Sequence, residues 1–429
     1  MFQFDQLTRV QNAAIDKILE DRHRFDQIYE TIENYCANHK LIIGGSISVK
    51  KAIVQDRDPY DFNYIVYSEH PVRDALNITN DIVKYTEAVY MKTDIYGQEL
   101  TVRVQDRPLV SVLTLPKNMK NIIKPISLKG DYTKEELLYI PPDYHLLQIY
   151  RDLYIPIPDE WEESLKFEYK LYTWLKKEYK DDPEHFVGGA QDISEIRDLL
   201  IKKMLNYFST RKDVILIGTV AQQIMEDKEP DAKTLEILGT SSIAQEMCEW
   251  VKKTSGLVAT LKSTSINLLS DFRSSRTTIY LNHMKDKMPI LYVYNSLEYD
   301  VVPHNFSDKY KIQIGTPFVI LRYILIDIWI IKVINVFGGI DDKYARNRIL
   351  TSYKTLFSIR DKLKIDETHC QQQRQNDLWD IFQLAQENRY IGQYNSDISA
   401  KKELIKSQDM TPDYLPVNYY KEKGKYMTV

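Results

Sequence analysis

The stretch from Phe318 to Phe337, FVILRYILIDIWIIKVINVF, decides what medium this chain folds in. A helix of that length could cross a bilayer. It is interrupted by Arg322, Asp327 and Lys332, and ionisable groups at membrane depth are costly, so it reads as the central buried helix of a soluble domain, with no membrane as partner. The start, MFQFDQLTRV, turns polar at once and lacks a basic stretch followed by an apolar one, so no secretory signal is expected. Three widely spaced cysteines, Cys36, Cys248 and Cys370, suit a reducing compartment and offer neither a disulfide framework nor a thiolate zinc site.

With 429 residues the chain has room for two or three domains. Its 43% hydrophobic and 28% charged residues are those of an ordered globular protein. The net charge of −4 means that a polyanion would have to be held by a local basic patch. The 31 tyrosines are an excess: some could stack on bases, while most should be ordinary core and surface residues.

Helical spacing of Leu7, Val10, Ala14, Ile15, Ile18 and Leu19 predicts an amphipathic N-terminal segment over residues 1–40. The period then changes. LIIGGSISVKKAIV reads as a short apolar strand, a turn at Gly44 and Gly45, a serine able to cap, and a helix from about Ile47. DFNYIVY (Asp61–Tyr67) predicts a strand, and a helix should run from about Val72 to Lys84. Next come a hairpin (EAVYMKT and QELTVRV), the strand LVSVLTL and a loop bearing Lys117, Lys120, Lys124 and Lys129. Two helices should follow YIPPD. The charge, proline and glycine of DDPEHFVGG (181–189) mark a boundary, giving one domain over 41–185 and another over 190–429. In the second, VILIGTVAQQIM repeats the strand–glycine–helix layout and TLEIL the strand that follows, which suggests an internal duplication.

A strand that ends in glycines and leads into a helix aims free backbone amides and the positive end of a helix dipole at one point, a place suited to phosphate. Gly44, Gly45 and Ser46 form such a corner. Asp61 and Asn63 alternate onto one face of the next strand, where oxygen donors could hold Mg²⁺ or Mn²⁺ over a bound triphosphate.

This layout resembles the nucleotidyltransferase β superfamily. More narrowly, GGS, YDFNYIVYS, RPLVSVLTLP and YIPPDYHLLQIYRDLY resemble the catalytic poly(A) polymerase subunit of large cytoplasmic DNA viruses. The resemblance implies an α+β fold: a nucleotidyltransferase-like mixed sheet flanked by helices, then a second, degenerate nucleotidyltransferase-like unit and a helical C-terminal part. It implies template-independent addition of AMP from ATP to an RNA 3′ end. Asp61 and Asn63 would hold metal, Gly44, Gly45 and Ser46 the triphosphate, and Lys117, Lys120 and Lys124 the RNA. The chain departs from the family where Asn63 replaces a carboxylate. Glu99 is the acidic residue in register for the third ligand, with Asp94 and Asp106 at the ends of its strand. The alternative is the same fold without catalysis, a scaffold or RNA-binding partner in a viral mRNA-processing complex. The resemblance further implies a homodimer or a second viral subunit as partner, and a location in the cytoplasm of an infected cell or in the virion. In the second half, Gly218-Thr219 and Glu236 would be architectural. Asp271, Arg273, Arg276 and His304 are weaker candidates for nucleic-acid contact.

Overall fold

The computed structural model describes residues 24–53, 63–86, 89–93, 99–104, 107–154, 158–181, 183, 194–231, 234–269, 272–283, 286–295, 302 and 304–363. Asp61, Asp94, Asp106, Asp271, Cys370 and the basic, aromatic tail lie outside them, as does most of the 181–189 stretch.

Two compact units divide the chain. One takes in Met1–Pro142 with Leu268–Asp271, the other Asp143–Asn267 and Phe272–Val429. The division by packing thus falls at Pro142, whereas composition marks 181–189.

The first unit opens with α1 (residues 24–39) and β1 (Ile42–Gly44), and the chain turns directly into α2 (Gly45–Ile53). This helix begins two residues before the position expected from Ile47, so Ser46 lies inside its first turn. There follow β2 (Tyr64–Ser68), α3 (Pro71–Ile82), β3 (Val89–Thr93), β4 (Glu99–Val104), β5 (Arg107–Thr114), α4 (Met119–Ile123), β6 (Ile126–Lys129) and β7 (Glu136–Tyr139). The strands form one mixed sheet in the order β3-β4-β5-β2-β1-β7-β6. Its inner face, with Tyr64, Val66, Leu100, Val102, Val110 and Val112, packs in one core with Ile28, Tyr29 and Ile32 of α1 and Ala75 and Ile78 of α3. Alternation sends the intervening side chains to the other face.

The second unit holds α5 (Pro142–Tyr154) from Asp143 onward, α6 (Pro158–Glu178), α7 (Ser194–Phe208), β8 (Ile215–Ile217), α8 (Gly218–Met225), β9 (Leu235–Leu238) and α9 (Ser241–Ser255). After them come β10 (Val258–Leu269), β11 (Phe272–His283), β12 (Asp286–Tyr294), β13 (His304–Ser307), β14 (Ile312–Gly315), α10 (Pro317–Val336) and α11 (Asp342–Lys362). Its sheet runs β10-β11-β12-β9-β8-β14-β13. Adding seven to every strand number of the first sheet reproduces that order. The agreement reaches single residues: Gly44 pairs with Ile65 as Ile217 pairs with Glu236, and the β4–β5 irregularity at Val102/Arg103 recurs between β11 and β12 at Ile279/Tyr280. The expected duplication is present in the topology.

Nearly every residue of α10 as far as Ile331 is buried. Its charges are accommodated rather than exposed to an apolar solvent. Asp327 pairs with Arg276 and Arg348, and Lys332 pairs with Asp143 and lies over the Trp329 ring. Among the described residues no helix is long and apolar enough to cross a membrane. Helix α6 is tied to α11 by the buried Glu168–Arg360 pair, whose second contact measures 2.7 Å, with the Tyr150 hydroxyl donating to the same carboxylate.

Candidate functional site

The corner predicted for phosphate is built at the end of β1. Gly45 has φ +68°, a left-handed conformation that side chains rarely adopt, and a Cβ there would come within 2.8 Å of Ile65. Glycine is therefore required both by the backbone and by the close approach of β2. Gly44 is hemmed in as well, by Tyr67 and Ile140. Because β1 and β2 are antiparallel with Gly44 opposite Ile65, the first turn of α2 and the residue before β2, Asn63, are neighbours at this edge.

Asn63 shares its face with Ile65, and β5 pairs with β2 so that Ser111 stands beside Ile65. Ser111, 3% exposed, donates to Asn63 Oδ1 at 3.5 Å and lies 3.4 Å from the hydroxyl of Thr101, its partner on β4. Thr101 in turn donates to Glu99 Oε1 at 3.2 Å. A polar chain of Asn63, Ser111, Thr101 and Glu99 thus crosses the outer face of the sheet, leading away from the glycine corner.

Asn63 and Glu99 are the ends of that chain, not neighbours. Glu99 is opposite Leu113, and Asn63 lies one residue before the Tyr64–Val110 pair. Four residues along the strand direction separate the two rows, on the order of 13 Å. Metal ligands must converge within about 2 Å of one ion. The structure does not bring Glu99 to the place expected of a third ligand. The side chain beside Asn63 is Ser111, which sequence reasoning missed.

A two-metal phosphoryl-transfer centre needs converging carboxylates. At this corner the described donors are an amide oxygen and two hydroxyls, and among the described residues no group of three or more His, Cys, Asp or Glu could hold a metal. This donor set does not fit such a centre.

The second lobe repeats the corner and fills it. Gly218 has φ +70° and begins α8, and a Cβ there would lie within 2.5–2.9 Å of the Glu236 carboxylate. Glu236 stands where the first lobe has Ile65, Tyr292 where it has Ser111, Thr278 where it has Thr101 and Arg276 where it has Glu99. Arg276 pairs with Asp327 of α10 and stacks over Tyr292 at 4.4 Å, while Tyr294 donates to Asp327 at 3.3 Å. Burial first, and Asp327 next, push the Glu236 carboxyl up to about 7, against the pull of Arg348 and Arg276. Arg276 is therefore an interior ion-pair partner rather than the nucleic-acid contact proposed from sequence. His304, in β13, meets the Val302 carbonyl through Nδ1 at 3.1 Å.

The lysines proposed for RNA lie at α4. Lys117 and Lys124 are exposed, and Lys120 donates to the Lys40 carbonyl at 3.0 Å. Asn118, Lys124 and Lys40 all have left-handed backbone, with φ of 64°, 50° and 51°.

Similar proteins fall into two groups. Uncharacterized protein K421R of African swine fever virus is 25% identical over 354 residues in the Pretoriuskop and Warthog/Namibia isolates, covering 80% of this chain and 84% of the relative. The Malawi isolate's version is 25% identical over 356 residues. Among solved structures, the Megavirus polyadenylate synthase superposes with a TM-score of 0.60 at 16% identity, over 83% of this chain and 74% of that one. The chain has the fold of a viral polyadenylate synthase. The expected architecture of mixed sheets flanked by helices, with a second unit that repeats the first in topology, is thereby established. No protein-family model matches the chain.

Proposed function

We propose that this chain is a catalytically silent nucleotidyltransferase-fold subunit of a viral mRNA-processing assembly, which holds RNA and leaves adenylyl transfer to a partner. One observation carries the reading: beside the glycine corner, Asn63 and Ser111 present an amide and a hydroxyl where metal-assisted transfer requires carboxylates. The fold shared with a polyadenylate synthase, and relatives in a large DNA virus, support the setting. Lys117, Lys120 and Lys124 form the surface along which the phosphate backbone would run.

A second reading, template-independent addition of AMP from ATP to RNA 3′ ends with Mg²⁺ or Mn²⁺ at Asp61, has one observation in its favour. The first corner faces Ile65, whereas its duplicate is filled by Glu236. The test is primer extension with full-length protein, ATP, Mn²⁺ and labelled oligo(A). The silent reading expects primer binding that weakens as salt rises, and no added nucleotides. Extension that Asp61→Ala abolishes would overturn it in favour of the second.

A further inference from the structure

We infer that Ser111 occupies the third-ligand position of the first lobe, and that the hydrogen-bonded Asn63–Ser111 pair is a metal site converted to neutral donors. The inference rests on reading the first lobe as the nucleotide lobe. Its geometry is local. Ser111 lies on the strand next to β2, on the face that Asn63 and Ile65 share, and its hydroxyl is 3.5 Å from the Asn63 oxygen. Two oxygens this close on adjacent strands have the spacing of two ligands on one ion, since hard divalent cations bind oxygen at roughly 2.0–2.6 Å. Glu99, the acid available to sequence reasoning, lies four residues along the strands from the Asn63 row and two from that of Ser111, where its carboxylate accepts from Thr101 instead. The second lobe supports the equivalence of positions: Tyr292, the counterpart of Ser111, is next to Glu236 in the filled corner. What separates the present donors from a cation site is charge, because a neutral amide and a buried hydroxyl do not compensate the dehydration of a divalent ion.

The test is Mn²⁺ binding, followed without RNA or ATP by paramagnetic resonance and by the thermal midpoint of the full chain. Wild type should bind no Mn²⁺ at this corner. Asn63→Asp combined with Ser111→Asp should bind one ion at least tenfold more tightly than wild type, and its midpoint should rise with added Mn²⁺ as ligand linkage requires. Glu99→Gln in that background should leave the affinity unchanged. Should two carboxylates prevent folding, Asn63→Asp with the near-isosteric Ser111→Cys serves instead, read by the thiolate charge-transfer absorption of Cd²⁺. Folded variants that gain no metal affinity, or a wild type whose Mn²⁺ affinity falls on Asn63→Ala, would overturn the inference. Primer extension and RNA affinity play no part in these readouts, so the proposed function and this inference fail separately.

Discussion

Glu33 shows how one side chain can hold a turn in place. It is fully buried on α1, and its carboxylate accepts from the Tyr64 hydroxyl at 2.8 Å and from the backbone amides of Asp131, Tyr132 and Thr133 at 3.2, 2.7 and 2.9 Å. Truncation would leave those amides without an acceptor in the interior. Glu33→Ala should therefore cost about 3 kcal/mol or more in urea unfolding, well above a surface substitution. At the corner, Gly45→Ala meets both a left-handed backbone and Ile65 at 2.8 Å. A loss of about 1–3 kcal/mol is expected by the same measurement.

Elements carry charge in pairs, and pH reports on one of them. The folded protein holds the Glu236 proton more tightly than the unfolded chain does, from an ordinary value of 4.5 up to about 7, chiefly through burial. Below about pH 4.5 both states are protonated and the group costs nothing. Between there and pH 7 the unfolded chain releases its proton first, so stability falls as pH rises, by on the order of 3–4 kcal/mol in all. Glu236→Gln should flatten that part of the profile in denaturant titrations between pH 4.5 and 7.5. The joint between β11 and α10 offers a second check: Asp327→Ala leaves Arg276 buried without its carboxylate and should destabilise the second unit by about 3–5 kcal/mol in calorimetry. None of this was legible from sequence, because Arg276 and Asp327 are 51 residues apart and only folding brings them together.

Across the whole molecule, the parts that could be read were those with local signals. Apolar strands ending in glycine and running into helices announced both corners, and Arg322, Asp327 and Lys332 announced a buried helix. Strand pairing gives no such signal. Ser111 within VSV has the look of an ordinary strand residue, and its place beside Asn63 depends on which strand pairs with which, as does the distance of Glu99. For RNA binding the matching prediction concerns the α4 surface. Reversing charge with Lys117→Glu and Lys124→Glu should weaken oligo(A) binding, and should reduce the slope of log affinity against log salt by about 1.4, at roughly 0.7 per lost phosphate contact.

The repeated topology confronts the folding chain with a sorting problem, since β9 could in principle take the seat of β2. The unlike residue at the shared position works against the exchange. Glu236 carried into the first sheet would bring its carboxylate against Gly45, in a lobe where the counterpart of Arg276 is Glu99, a second acid. The difference that distinguishes the two corners in chemistry thus also disfavours a strand in the wrong half.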